Sequence, residues 1–168
     1  LNALEELDRL GWTTTMEQRK EGLLHTSWKG RFTVINKKPL FIVDGAHNAG
    51  AADKMAESVR HYFNGKKLIY IMGVFADKEY KIVLEKTAHF AEKIYTIETP
   101  DNPRALPAEE LAKAARVYNS SAESTKSIKD AVEKAFSCAG DDENSVILAF
   151  GSLSFIGALT NAVEEYVG

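Results

Sequence analysis

The sequence predicts an α/β fold: three layers, a mostly parallel sheet with an antiparallel hairpin on its N-terminal side, and helices on both faces. Three observations carry this. Short apolar runs alternate with helical repeats along the chain. Two of those runs, residues 68–72 and 146–150, are nearly continuous, as expected of strands buried on both faces. A third run, residues 41–43, ends in Asp44-Gly45-Ala46-His47-Asn48 just ahead of an alanine-rich helical pattern. That arrangement delivers polar side chains to the carboxyl edge of the sheet, where open α/β sheets bind ligands.

Element by element, Leu1, Leu4, Leu7 and Leu10 repeat on one helical face that Gly11 stops. Thr15 with Gln18 reads as a capping box opening a short helix that ends near Gly22. Residues 31–35 and 40–43 are β-prone around the turn residues 36–39, which predicts a hairpin. Ala52, Met55, Val59 and Phe63 then mark a helix stopped by Gly65, and residues 68–72 a buried strand. Tyr80, Val83, Leu84, Thr87 and Ala91 mark another helix, and residues 93–97 another strand. Pro107 opens a helix at its first position, with Glu109 and Glu110 in the first turn. Residues 119–124 and 141–144 read as surface loops. Between them Ser127 caps a helix on Ile128, Ala131, Val132, Ala135 and Phe136 that Gly140 stops. Residues 146–150 form the last strand, and Ile156, Leu159, Val163 and Tyr166 the last helix. The sum is a Rossmann-like domain.

At 168 residues the chain is one domain with an appendage. A net charge of -3 gives no bulk field for nucleic acid or an anionic membrane. Cys138 is the only cysteine, which excludes an internal disulfide and a thiolate metal cluster. No apolar stretch is long enough to span a bilayer, and residues 1–24 do not read as a signal peptide. A cytoplasmic monomer is expected, with no metal site of its own.

Gly45 to Gly50 has the spacing of a phosphate loop, but Ala51 and Ala52 stand where Lys and Ser/Thr are required. No G-x-G-x-x-G is present. The chain can still contribute to a shared nucleotide site. Asp44 at a strand end can accept ribose hydroxyls. His47 and Asn48 sit at a helix N-terminus, which favours phosphate. Arg31 can grip phosphate oxygens with its planar fork. Lys78 follows a strand in Gly73-Val74-Phe75-Ala76-Asp77-Lys78 and adds charge at the same edge. Each also has a plainer reading. Asp44, Asn48, Asp77 and Ser152 can be caps, His47 a hydrogen-bonded loop residue, and Arg31 a surface arginine paired with a carboxylate. Convergence on one edge of one sheet favours the site.

Five motifs in order resemble the C-terminal domain of the folylpolyglutamate synthase and dihydrofolate synthase branch of the Mur ligase family. They are Trp28-Lys29-Gly30-Arg31, Asp44-Gly45-Ala46-His47-Asn48, Gly73-Val74-Phe75-Ala76-Asp77-Lys78, Arg104-Ala105-Leu106-Pro107 with Glu109, Glu110 and Leu111, and Phe150-Gly151-Ser152-Leu153. Lys29, Ala49 and Ser154 depart from the family pattern. The resemblance implies residues 1–27 as the helical end and linker of an N-terminal ATPase domain, and residues 28–168 as the glutamate ligase domain. It implies an ATP-dependent ligase that joins L-glutamate to folate or dihydropteroate through an acyl phosphate, with this domain closing over ATP. The ATPase domain would supply the phosphate loop and hold Mg2+, so no complete catalytic set is expected in this chain. Arg31, Asp44, His47 and Asn48 are the implied ATP-binding residues, with Arg31 on phosphate and Asp44 on ribose. Lys78 and Ser152 would face the cleft, toward the incoming glutamate.

Other readings are weaker. A hydrolase built on Asp44, His47 and Ser152 lacks the G-x-S-x-G elbow, and Asp44 shares a turn with His47, so it cannot buttress the imidazole. A receiver-like module using Asp44 would need an acidic pair at an earlier strand end, where Ile35-Asn36 stands. The C-terminal domain of a Mur ligase for peptidoglycan precursors, or a non-catalytic phosphate-binding module, remains as the alternative.

Overall fold

A computed structural model describes residues 2–26 and 28–168. Leu1, the first member of the leucine repeat, and Ser27, the last residue of the expected linker, lie outside the described residues.

The chain opens with two helices, α1 (Asn2–Arg9) and α2 (Met16–Leu24), neither of which buries a residue. The capping box forms: Thr15 Oγ1 accepts the Gln18 N–H at 3.2 Å, and Gln18 Oε1 accepts the Thr15 N–H at 2.9 Å. α2 ends at Leu24, two residues past Gly22 and near the expected end.

Six strands follow, β1 (Thr33–Lys37), β2 (Leu40–Val43), β3 (Lys67–Met72), β4 (Lys93–Thr96), β5 (Ala122–Ser124) and β6 (Ser145–Phe150). Their order in the sheet is β1-β2-β6-β3-β4-β5. Only the β1–β2 pair is antiparallel. The hairpin begins two residues later than expected, because Trp28 and Arg31 close a turn and Phe32 takes a positive φ of 45°. It also continues to Lys37, so that Lys38 and Pro39, joined by a cis peptide, make the turn.

Helices α3 (Ala49–Tyr62), α4 (Tyr80–Thr87) and α5 (Ala108–Ala115) connect β2 to β5 in sequence and cover one face. Helices α6 (Ile128–Ala139) and α7 (Ile156–Val167) cover the other. Strand residues divide between the two cores with period two, as the pleat requires. Leu68, Tyr70 and Met72 enter the first core, Ile69 and Ile71 the second; Val146, Leu148 and Phe150 enter the first, Ile147 and Ala149 the second. This explains why β3 and β6 read as continuous apolar runs.

Two expectations need correction. Residues 119–124 were expected as a loop, yet Ala122–Ser124 is the parallel edge strand β5. An edge strand has one open side, so polar residues serve there. The Glu123 carboxylate holds Lys93 Nζ at 2.6 Å and Lys134 Nζ at 3.1 Å, tying β5 to β4 and α6. Pro107 sits at the N-cap of α5 instead of its first helical position.

β6 lies between β2 and β3, but its following helix leaves on the opposite face from theirs. The loops after these strands therefore part at the carboxyl edge and leave a crevice, the switch point of the sheet. Among the described residues, no helix is long and apolar enough to cross a membrane.

The first core holds one uncompensated group. Tyr70 is fully buried edge-on against Phe150, and its hydroxyl has no partner among the described residues. Burial pushes that hydroxyl's pKa up. Removing the hydroxyl removes an unsatisfied donor, so Tyr70→Phe should stabilise the fold by about 1–3 kcal/mol. Urea denaturation of the two proteins checks this; a lower midpoint for the variant would count against it.

Candidate functional site

The crevice is built from the ends of β2, β6, β3 and β4. Backbone ladders continue one step past the strands: the Asp44 N–H donates to Ala149 O at 2.9 Å and the Gly73 N–H to Phe150 O at 3.2 Å. Gly151 then turns away with φ 117°. A Cβ on Gly151 would lie 2.3 Å from the carbonyl oxygen of Gly73, so only glycine fits where β6 and β3 end.

Asp44, the first polar residue after β2, is half-buried. Its Oδ1 accepts the Ala46 N–H at 2.8 Å and its Oδ2 the Phe32 N–H at 2.8 Å. It does not cap α3. That task falls to Asn48, whose Oδ1 accepts the Ala51 N–H at 2.9 Å. The Glu79 carboxylate also lies 3.3 Å from the Ala49 N–H. The helix terminus expected to attract phosphate thus already has two side-chain oxygens on its amides.

Arg31 is exposed, and among the described residues it has no carboxylate partner. Its guanidinium lies across Gly45: a Cβ there would come within 2.7 Å of Nη1 and 2.5 Å of Leu153 Cδ2. A cation held over a bare backbone turn, free of any internal anion, is a ready acceptor of phosphate oxygens.

His47 is half-buried, and its Nδ1 lies 2.7 Å from Gly45 O. A carbonyl only accepts, so Nδ1 donates and Nε2 is left free. His47, Phe75, Lys78, Gly151, Ser152, Leu153 and Ser154 line a hollow of about 210 Å³. Lys78 is half-buried and, among the described residues, is likewise without an ion pair. Ser152 is buried and fulfils its plainer reading as a cap: its Oγ accepts the Ser154 N–H at 3.2 Å and lies 2.7 Å from Ser154 Oγ. Five of the six sequence-predicted residues therefore form two adjoining groups, Arg31 with Asp44 and His47 with Lys78 and Ser152. Leu153 wedges between them, and Asn48 stands behind as a cap. A larger hollow of about 770 Å³ between β1 and α7 contains none of the six.

Sequence reasoning gave no role to three residues that shape this edge. Arg104 clasps Asp77 with Nη2 at 2.5 Å and Nε at 3.3 Å, and its guanidinium covers the Phe75 ring at 4.8 Å. The hydrogen bond from Arg104 holds the Asp77 carboxyl below the usual carboxylate range. Arg104 stood in a quoted motif, but no spacing rule links it to a partner 27 positions away. Glu79 and Phe32 carried no signal at all. Among the described residues, no three His, Cys, Asp or Glu side chains converge as metal ligands.

The family model of the Mur ligase, glutamate ligase domain matches residues 30–153. A dihydrofolate synthase/folylpolyglutamate synthase from Bacillus subtilis is 29% identical over 148 residues, which is 88% of this chain and 33% of that protein. An E. coli FolC structure in complex with DHPP and ADP superposes with a TM-score of 0.85 over 99% of this chain and 38% of that one, at 20% identity. A bifunctional folylpolyglutamate synthase/dihydrofolate synthase structure with Mn, AMPPNP and L-glutamate bound gives a TM-score of 0.76 over 89% of this chain and 35% of that one, at 25% identity. The matches span a third or less of the curated relatives.

The two glycines of the crevice should respond differently to one methyl group. Gly151→Ala meets backbone at a positive φ and should cost about 2–6 kcal/mol, the sum of backbone strain and overpacking. Gly45→Ala meets side-chain atoms only, Nη1 of Arg31 and Cδ2 and Cγ of Leu153, at a φ that alanine can take, and should cost less, about 1–3 kcal/mol, while displacing Arg31. Equilibrium unfolding of both variants checks the contrast; equal destabilisation would refute it.

Proposed function

Because the chain belongs to the Mur ligase family as its glutamate ligase domain, we propose that it is the nucleotide-closing part of an ATP-dependent ligase joining L-glutamate to folate or dihydropteroate. The observation that carries this is the unpartnered Arg31 guanidinium over Gly45, with His47 and Lys78 along the same crevice. The relatives named folylpolyglutamate and dihydrofolate synthase, and a 25% identical structure that binds AMPPNP, Mn and L-glutamate, support the substrate class.

In the proposed reaction the substrate carboxylate takes the γ-phosphoryl group of ATP, giving an acyl phosphate and ADP. The glutamate amine then attacks the acyl carbon, phosphate leaves, and the amine loses its proton. Most catalysis of phosphoryl transfer is positioning and charge stabilisation. Arg31 would grip phosphate oxygens, with Asp44, His47 and Asn48 completing the nucleotide-facing edge. Lys78 and Ser152 would face glutamate in the adjoining hollow. Closure of this edge over the nucleotide would keep water from the acyl phosphate. A divalent cation would neutralise charge on the phosphates; among the described residues no three His, Cys, Asp or Glu side chains converge to hold one, and an N-terminal ATPase domain would do so. Residues 1–27, whose helices α1 and α2 bury nothing, would be the end of that domain and its linker to residues 28–168.

The test is glutamate-dependent ADP release by a full-length enzyme carrying this domain, supplied with ATP and either folate or dihydropteroate. Loss of a charge-assisted contact amounts to about 1.5–3 kcal/mol, so Arg31→Met should raise the KM for ATP about 10- to 100-fold. The KM for the folate substrate should stay near its starting value. Lys78→Met should instead raise the KM for glutamate. These 168 residues alone should form no product; ligation by the isolated chain, or no response to either folate or dihydropteroate, would overturn the reading.

A further inference from the structure

Ser154 lines the same hollow as Lys78 and Ser152 but has no part in the proposed reaction. It is also one of the three departures from the family pattern. The two serines are joined twice across the short 3-10 turn at 153–155 that Ser152 caps. The Ser154 N–H donates to Ser152 Oγ at 3.2 Å, and the two hydroxyl oxygens lie 2.7 Å apart. A serine hydroxyl has one hydrogen and two acceptor sites. One hydrogen makes the bond between the hydroxyls, so the pair keeps a second for an outside acceptor.

Burial decides which oxygen keeps it. Ser154 is exposed, so water can fill the acceptor sites of its hydroxyl. Ser152 is only 6% exposed. Its oxygen is satisfied best by taking both donors of Ser154, the N–H and the O–H, which fills its two acceptor sites. The Ser152 hydrogen is then the one left over. It borders a hollow of about 210 Å³ whose other polar side chains are His47 and Lys78. Among the described residues Lys78 has no ion pair. An ammonium group and a hydroxyl hydrogen on one hollow suit an anionic oxygen. A hydroxyl that accepts two bonds is also a stronger donor than a free one, because chained hydrogen bonds polarise each other.

We propose that Ser154 is a positioning residue for the amino-acid substrate: by donating to Ser152, it aims the Ser152 hydroxyl at a carboxylate oxygen of the incoming glutamate. This rests on the reading that Lys78 and Ser152 face glutamate. Ser154 itself touches no substrate in this scheme, and its effect passes entirely through Ser152.

The experiment uses the full-length enzyme with Ser154→Val, Ser154→Thr, Ser152→Ala and the Ser154→Val/Ser152→Ala double variant. Valine and threonine share a shape and differ by the hydroxyl. Both keep the backbone N–H at 154, so the cap bond to Ser152 survives. Ser154→Val should raise the KM for glutamate about 3- to 10-fold, the value of one hydrogen bond, with kcat and the KM for ATP near their starting values. Ser154→Thr should restore most of that loss. On the Ser152→Ala background, Ser154→Val should matter by less than about twofold, because residues acting through one contact are not additive.

Equal losses in the valine and threonine variants would trace the effect to bulk and overturn the proposal. Equal effects of Ser154→Val with and without the Ser152 hydroxyl would establish a direct contact of Ser154 with glutamate, and overturn it too. A silent Ser154→Val beside damaging Ser152→Ala and Lys78→Met would overturn it while leaving the glutamate reading of the hollow intact. An unchanged KM for glutamate in all three would overturn that reading and this inference together. Ser152→Ala also removes a cap. If it folds poorly, Ser152→Gly, which an N-cap tolerates at little cost, takes its place in the cycle with the same expected outcome.

Discussion

The close approach of Gly151 to the carbonyl of Gly73 is the constraint on which the rest of the site depends. β6 and β3 are the central strands, each fully enclosed by helices on both faces. Their chains must part at the carboxyl edge, one toward α7 and the other toward α4. Without side chains at 73 and 151, they can part while still in contact. Ser152 then caps a short 3-10 turn, and Leu153 is delivered against Gly45 on β2's side. One backbone contact thereby sets the distance between the two groups of candidate residues.

The loops of this edge are also laced to each other. Asp44 ties the β2 exit to the turn before β1. Glu79 reaches the first amide of α3. The Ala76 N–H donates to Arg104 O at 2.8 Å and the Leu106 N–H to Val74 O at 3.0 Å, joining the β3 and β4 exits, and the Asp77–Arg104 pair closes over them. Arg104 is consumed in this framework, its charge met by Asp77 and its face by Phe75. Arg31 and Lys78 are left without internal counter-charge among the described residues. Charge that is not needed to hold the fold is what a ligand can use.

The near-continuous apolar runs made the fold legible, because β3 and β6 serve two cores and so carry apolar residues at nearly every position. β5 escaped because Glu123 and Ser124 are polar and an edge strand of three residues needs only Ala122 inside. Of the site, the residue types and their edge were legible from the strand that ends at Asp44. What was not legible was which partner each would take. The pairing of Asp77 with Arg104, the reach of Glu79 to α3 and the left-handed Phe32 depend on separations across the sheet that no local pattern encodes. Phe32 is the sharpest case: neither glycine nor asparagine marks the position, and its contacts with Phe63 and Asp44 come from positions distant in the sequence.

The same geometry gives a reason for the truncated phosphate-loop spacing of Gly45 to Gly50. A true phosphate loop binds by a nest of backbone amides backed by a lysine, and it must sit at hydrogen-bond distance from the phosphates throughout. Here the amides of Ala46, Ala49 and Ala51 are already engaged by Asp44, Glu79 and Asn48. Under the proposed function, the phosphate contacts would come from long side chains at this edge, Arg31 and Lys78. Under the proposed function this suits a surface that arrives at a nucleotide already held elsewhere. A guanidinium on a flexible stem can make contact late in closure and release it on opening, whereas an amide nest would have to dock as a rigid body. Segment 45–50 is thus a turn whose amides at 46, 49 and 51 serve the fold, and under the proposed function the side chains around it would make the phosphate contacts.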